Sequence, residues 1–174
     1  MSSGLPNDDG PVYVGFGANV GDPERTLAAA AEELSRFPDI ELRRRSSLYA
    51  TAPIGPAQPE FRNAVVSLVT WRSPAGLLAA LLDVERAHGR VRGERWGPRA
   101  LDLDILLWGD RVVDEPGLRV PHPELHHRRF ALEPLAELDP DARHPVLQKT
   151  VAELLAGVRD QSVKRVDSML WRPR

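Results

Sequence analysis

Arg95-Trp96-Gly97-Pro98-Arg99-Ala100-Leu101-Asp102-Leu103-Asp104-Ile105-Leu106-Leu107 has two halves of opposite character. The second half alternates with period two. That predicts an extended strand with Leu101, Leu103, Ile105 and Leu107 on one face and Asp102 and Asp104 on the other. Two carboxylates two residues apart on such a strand are unfavourable unless positive charge sits between them. A buried arginine would supply it, as would a divalent cation. Oxygen-only ligation by two aspartates suits magnesium, which shares its shell with water and substrate phosphates. The bland alternative is a strand whose polar face simply meets solvent. The first half of the stretch weighs against it. Arg90, Arg92, Arg95 and Arg99 crowd among Gly89, Gly93, Gly97 and Pro98, and only Glu94 offsets them. Guanidinium groups on a glycine-rich loop beside paired carboxylates form a phosphate-and-metal arrangement.

Upstream of this stretch, Ser73-Pro74 opens a helix that ends at Gly89, with Leu77, Leu78, Leu81, Leu82 and Val84 packed inward. Glu85 lies at the edge of that apolar face, as a salt-bridge partner or a substrate contact. Phe61 to Thr70 is apolar on both faces, hence a central strand. Phe61 and Asn63 share a face at its start. An aromatic plate beside a side-chain amide can hold a flat heterocycle, and a core Phe with a turn Asn explains them equally well. Before it, Thr51 to Pro59 is a proline-stiffened loop following an extended run over Ile40 to Thr51. Val12 to Phe16 reads as a first strand. Asp22-Pro23 starts a first helix with Leu27, Ala30, Ala31, Leu34 and Phe37 as its stripe. The glycines at 15, 17 and 21 lack the spacing of a dinucleotide-binding fingerprint.

Downstream, Trp108-Gly109-Asp110 is read as a turn and Arg111 to Asp114 as the second arm of a hairpin. His122 sits between two prolines, with Arg128 and Arg129 following. Contact of His122 and Arg128 with phosphate fits better than zinc, since His126 and His127 are adjacent and share no helical face with His122. Short helices are expected over Ala131–Leu138 and Val151–Ala156, and a last strand over Ser162–Val166. The order strand-helix-strand-strand-helix-strand predicts an α+β, ferredoxin-like sandwich. In it, helices cover one face of a mostly antiparallel sheet, and the other face is left to a site on the sheet and its loops.

The totals bound the partners. A chain of 174 residues, 42% hydrophobic and 28% charged, can bury a sizeable core. Residues 1–11 read as a disordered leader and 12–174 as one domain. A net charge of −2 gives no general attraction to nucleic acid. The absence of cysteine excludes disulfides, thiolate nucleophiles and zinc-thiolate sites. No stretch has the length of a membrane span. The expected setting is a cytoplasmic monomer.

Arg95-Trp-Gly-Pro-Arg99-x-Leu101-Asp102-Leu103-Asp104-Ile105 resembles the signature of the 6-hydroxymethyl-7,8-dihydropterin pyrophosphokinase family. Gly17-Ala18-Asn19, Tyr49 to Gly55, Phe61-x-Asn63-Ala64, Glu85 with Gly89 to Arg92, and Val120 to Phe130 follow in family order. The resemblance implies transfer of diphosphate from ATP to the hydroxymethyl group of 6-hydroxymethyl-7,8-dihydropterin, releasing AMP. It implies two Mg2+ ions on Asp102 and Asp104, and Arg90 and Arg92 on a closing loop that takes part in catalysis. It also implies an ATP site at Glu85, Arg90, Arg92, Arg99, Ile105, His122 and Arg128. The pterin falls to Thr51, Pro53, Ile54, Phe61, Asn63, Trp96 and Phe130. This sequence departs from the family pattern at Ala52, where proline is frequent, and at His126-His127, where Lys-Asn is more usual. A metal-dependent phosphodiesterase would share the aspartates and arginines without the Phe61 and Asn63 pocket. A non-catalytic ligand-binding domain of the same architecture would need neither aspartate.

Overall fold

The computed structural model describes residues 9–53, 55, 57–89 and 99–174. Strand β1 (Val12–Ala18) leads into helix α1 (Pro23–Ser35), which begins where the sequence signals it. Asp22 caps the helix, its carboxylate accepting from Arg25 N–H, and Pro23 occupies the first turn. The extended run over Ile40 to Thr51 is broken at Ser46-Ser47 into β2 (Ile40–Arg45) and β3 (Leu48–Thr51). Ser46 bridges the break by donating from its N–H to Val65 O and accepting Val65 N–H on its hydroxyl. Strand β4 (Phe61–Thr70) is long enough to pair with both pieces end to end on one side and with β1 on the other.

Helix α2 (Pro74–Ala87) is capped by Ser73 and buries Leu77, Ala80, Leu81 and Val84. Leu82, expected inside, is 37% exposed, because it lies one helical step of about 100° beyond Leu81 and off the apolar stripe. Strand β5 (Asp102–Trp108) follows. The expected hairpin between β5 and the residues after Trp108 does not form. Instead β6 (Val113–Glu115) pairs with β7 (Leu118–Val120). The turn between them is Pro116-Gly117, with Gly117 at φ +78°, a stronger reversal signal than Gly109-Asp110. Then come α3 (Arg129–Leu138), a ribbon of β8 (Arg143–His144) and β9 (Lys149–Thr150), α4 (Val151–Ala156) and β10 (Val163–Val166). Thr150 and Glu153 make a reciprocal capping box on α4.

The sheet runs β10-β3-β4-β1-β5, with β2 beside β4, and its pairings are all antiparallel. This is the α+β class expected. Helices, however, cover both faces rather than one. Val12, Val14, Phe16 and Ala18 of β1 face Leu27, Leu34, Leu77 and Leu81 of α1 and α2. Tyr13 of β1 and Val65 of β4 face Leu132 and Leu135 of α3 and Leu154 and Leu155 of α4. The two-sided apolar character of β4 requires this second layer. The site is left at the end of that second face which α3 does not cover.

β5 departs from its alternation in one place. Val14 pairs with Ile105 but Tyr13 pairs with Leu107, so Leu106 is a bulge residue. The extra residue reverses the phase. Leu103 and Ile105 belong to the α1/α2 core as expected, whereas Leu107 joins Leu106 on the α3 side and Trp108 returns to the first core. The chain beyond β10 closes the first core with Trp171. Its ring lies 5.7 Å from Phe16, the Arg45 guanidinium sits 4.8 Å over it, and its indole N–H donates to Ser46 O at 2.8 Å. Among the described residues no helix is long and apolar enough to cross a membrane.

Trp171 is 1% exposed. Trp171→Ala is expected to remove about 3–5 kcal/mol of stability, read as a lower urea midpoint with an unchanged slope.

Candidate active site

The site is built across three strands. Gly17 of β1 is in register with Asn63 of β4 on one side and Asp102 of β5 on the other, and Asn63 is in register with Tyr49 of β3. One row along, Gly15 stands between Val65 and Asp104. With strands spaced about 4.8 Å apart, the Asn63 and Asp102 backbones are about 10 Å from one another. No side chain rises between them, because the intervening residue is glycine. A Cβ on Gly17 would lie 2.8 Å from Asn63 Oδ1, and one on Gly15 would lie 3.4 Å from a Leu106 methyl. The two glycines add no side chain to a lane with an amide on one bank and carboxylates on the other, and into it lean Asn63 Oδ1 over Gly17, which is buried, and Leu106 over Gly15.

Asn63 is buried and oriented. Its Nδ2 donates to Thr51 Oγ1 at 2.8 Å, which turns Oδ1 toward the lane above Gly17. Phe61 lies two residues back on the same face. Among the ring contacts of the described residues none joins Phe61 to Phe130. Pro53 follows directly on β3 and Thr51.

On the opposite bank, Arg99 Nε is 3.8 Å from the Asp102 carboxylate. Among the described residues no hydrogen bond or ion pair reaches the carboxylate of Asp104, which is half-buried. Nor does any third His, Cys, Asp or Glu join the pair in a metal-binding cluster among them. Two carboxylates alone suit a divalent cation that takes its other ligands from water and from a bound phosphate. The donor set fits magnesium on that condition.

His122 is docked beside them by the strand itself, its N–H donating to Leu106 O at 3.0 Å. Its Nδ1 accepts Glu124 N–H, which leaves the ring proton of the neutral form on Nε2. Burial pushes the imidazole below its ordinary value, aided by the Arg128 charge, while Asp104 and Glu124 pull it back. Arg128 sits at the start of α3 with its guanidinium 5.5 Å over the Phe130 ring. Arg129 is committed to structure through Glu133, Arg159 O, Gln161 O and Gln161 Oε1.

Two expected nucleotide contacts have a structural occupation here. Glu85 is 2% exposed and accepts Leu103 N–H at 2.8 Å, capping an amide of the edge strand β5. The Ile105 side chain is in the α1/α2 core, so its backbone at the sheet edge is the part that can meet a ligand. Ile54, Arg90, Arg92 and Trp96 lie outside the described residues. Sequence reading placed Asn19 in a motif but gave it no role; it is 1% exposed and its side chain reaches Gln58, Pro59 and Arg99. Sequence reading passed over the pins that hold α3. The Tyr13 hydroxyl donates to Asp139, and the Tyr49 hydroxyl and Ser47 N–H donate to Glu137. Burial and the receiving carboxylates push both phenols well above their ordinary range, so they remain donors.

Residues 13–140 match the family described as 7,8-dihydro-6-hydroxymethylpterin-pyrophosphokinase, HPPK. A 2-amino-4-hydroxy-6-hydroxymethyldihydropteridine pyrophosphokinase of Pseudomonas aeruginosa is 45% identical over 156 residues, 89% of this chain and 96% of that protein. One of the same name from Synechocystis is 43% identical over 145 residues, 83% of this chain and 74% of that protein. Among solved structures, wild-type Plasmodium falciparum HPPK-DHPS superposes with a TM-score of 0.66 at 15% identity. That likeness covers 84% of this chain and 44% of the solved one, so the chain spans less than half of it and shares its fold.

In an NMR titration of the ligand-free protein, His122 is expected to titrate below the ordinary histidine value of about 6.5. Asp104→Asn is expected to lower it further, because the aspartate charge favours the imidazolium.

Proposed function

The chain belongs to the 7,8-dihydro-6-hydroxymethylpterin-pyrophosphokinase family, and from that membership we propose how its residues divide the work. It transfers the diphosphate of ATP to the hydroxymethyl group of 6-hydroxymethyl-7,8-dihydropterin in folate biosynthesis. The observation that carries the division is the row Asn63–Gly17–Asp102. In that row an amide suited to a heterocycle and a carboxylate suited to a cation and phosphates share one face, on either side of a strand residue that has no side chain. A metal-dependent phosphodiesterase has no use for the amide bank.

The pterin lies along the lane between Phe61 and Phe130. Asn63 Oδ1 accepts from the ring's N–H donors, its own Nδ2 being held by Thr51. Pro53, with Ile54 and Trp96 as the resemblance implies, completes that wall. The phosphates of ATP lie against Arg99, Arg128 and the Nε2–H of His122, with Arg90 and Arg92 assigned by the resemblance alone. A neutral His122 contributes a hydrogen bond without adding charge. Glu85 and the Ile105 backbone define the sheet edge on the nucleotide side.

The substrate hydroxyl forms a bond to the β-phosphorus of ATP as the bond from that phosphorus to the AMP oxygen breaks, and the hydroxyl proton is lost. Such a transfer needs in-line placement and neutralised phosphate oxygens more than a strong base, and no side chain here is assigned as one. Two magnesium ions held by Asp102 and Asp104 would supply Lewis acidity and charge neutralisation when bound. Asp102 keeps its carboxylate in place against Arg99. We take residues 12–174 as one catalytic unit, because β10 and Trp171, beyond the matched residues 13–140, complete the sheet and its first core.

Purified protein with ATP and magnesium is expected to release AMP only when the hydroxymethyldihydropterin is added. Pterin-independent release would sink the reading. Asp102→Ala and Asp104→Ala are each expected to lower kcat by about three orders of magnitude or more, with circular dichroism and melting unchanged. Near-normal turnover in either would remove the carboxylate bank from the mechanism.

A further inference from the structure

We propose that Asn19 is a positioning residue that sets the pterin wall and the phosphate wall of the site relative to one another. It follows directly on β1, and its side chain is bonded in two directions. Nδ2 donates to Gln58 Oε1 at 2.8 Å and to Pro59 O at 2.9 Å. Oδ1 accepts Arg99 N–H at 2.8 Å, and the Asn19 main-chain N–H donates to Arg99 O at 3.0 Å. Both backbone polar groups of Arg99 are therefore held by one residue.

These partners belong to different walls. Gln58 and Pro59 end the loop that starts at Thr51, the residue that orients Asn63, and they lead into Phe61. Arg99 starts the approach to β5 and faces Asp102. The sheet fixes Asn63 against Asp102 through Gly17, but neither Gln58 and Pro59 nor Arg99 belongs to the β1–β4 and β1–β5 ladders. Asn19 extends those ladders to both. A buried amide with its donors and acceptor engaged is stiff, since releasing any partner strands a polar group away from water.

The inference rests on the division of walls given above, and the chemistry of the amide allows the walls to be separated. Asn19→Asp keeps the acceptor for Arg99 N–H, removes both donors, and sets a carboxylate against Pro59 O. The expected result is a KM for the pterin raised about ten-fold or more, from the lost bond to Pro59 O and the carboxylate set against that carbonyl, with KM for ATP within about two-fold of wild type. Gln58→Leu removes one acceptor on the loop and is expected to raise the pterin KM by a smaller factor with the same selectivity. It decides the matter if Asn19→Asp does not fold.

An unchanged pterin KM in both variants overturns the inference. So does an equal rise in both KM values that tracks a drop in melting temperature, because a merely structural role predicts that pattern. If the wild type shows no pterin-dependent AMP release, the underlying reading fails and the inference falls with it. If the wild type is active and the variants are unaffected, the inference alone is wrong.

Discussion

Strand β1 pairs with β4 on one side and β5 on the other, so each residue on either face stands between a side chain from each neighbour. On the face toward α1 and α2 this demands Val12, Val14, Phe16 and Ala18, which fill the core. On the other face the demand changes along the strand. Tyr13 is wanted where α3 packs, and no side chain fits at Gly17, where Asn63 Oδ1 leans in, while at Gly15 Leu106 fills the space. Glycine in a strand weakens it by entropy and by lost packing. Here that weakness is offset by neighbours on both sides and by a full core beneath.

The bulge at Leu106 solves a related problem on β5. Before the bulge, the second face of the strand carries Asp102 and Asp104, both half-buried. After it, the strand enters the region that α3 and α4 cover, and Leu106 and Leu107 both turn to that layer. Leu106 also lies over Gly15 and offers its carbonyl to the His122 N–H. One inserted residue thus ends the polar half, begins the apolar half and anchors the loop that carries His122. The same logic of division applies to α3. Tyr13 and Tyr49 hold its far end through Asp139 and Glu137, while its near end presents Arg128 and Phe130.

Much of this was legible from residue types and spacing. The alternation of Asp102 and Asp104 with Leu101, Leu103 and Ile105 predicts their faces because period two is a direct consequence of strand geometry. The helix starts at Asp22-Pro23 and Ser73-Pro74 were equally plain, since capping depends on neighbours in sequence. The position of Leu107 was not, because an unbroken run of Ile105-Leu106-Leu107-Trp108 hides a phase change. The second helical layer was foreshadowed by Val65 and Val66, both apolar on opposite faces of β4. Asn19 stood in a recognised motif, but its bonding could not be read, because its partners Gln58 and Arg99 lie 39 and 80 residues away. Glu85 illustrates a different limit. Its carboxylate serves a strand amide 18 residues on, and nothing in a helical stripe marks which edge residue will be drawn inside.

The seat of Trp171 bears on how the chain reaches its native state. The indole bonds to the carbonyl of Ser46 across 125 residues of sequence, and β10 pairs with β3 over a similar span. Contacts that distant require a large loop to close before they return any binding energy, so they form late and slow the search. Without those contacts Phe16 would have an exposed flank and β3 an unpaired edge, the kind of surface through which chains associate. Docking of Trp171 covers the flank and β10 covers the edge. Protection against edge-to-edge association and completion of the core thus fall to the same C-terminal stretch of the chain.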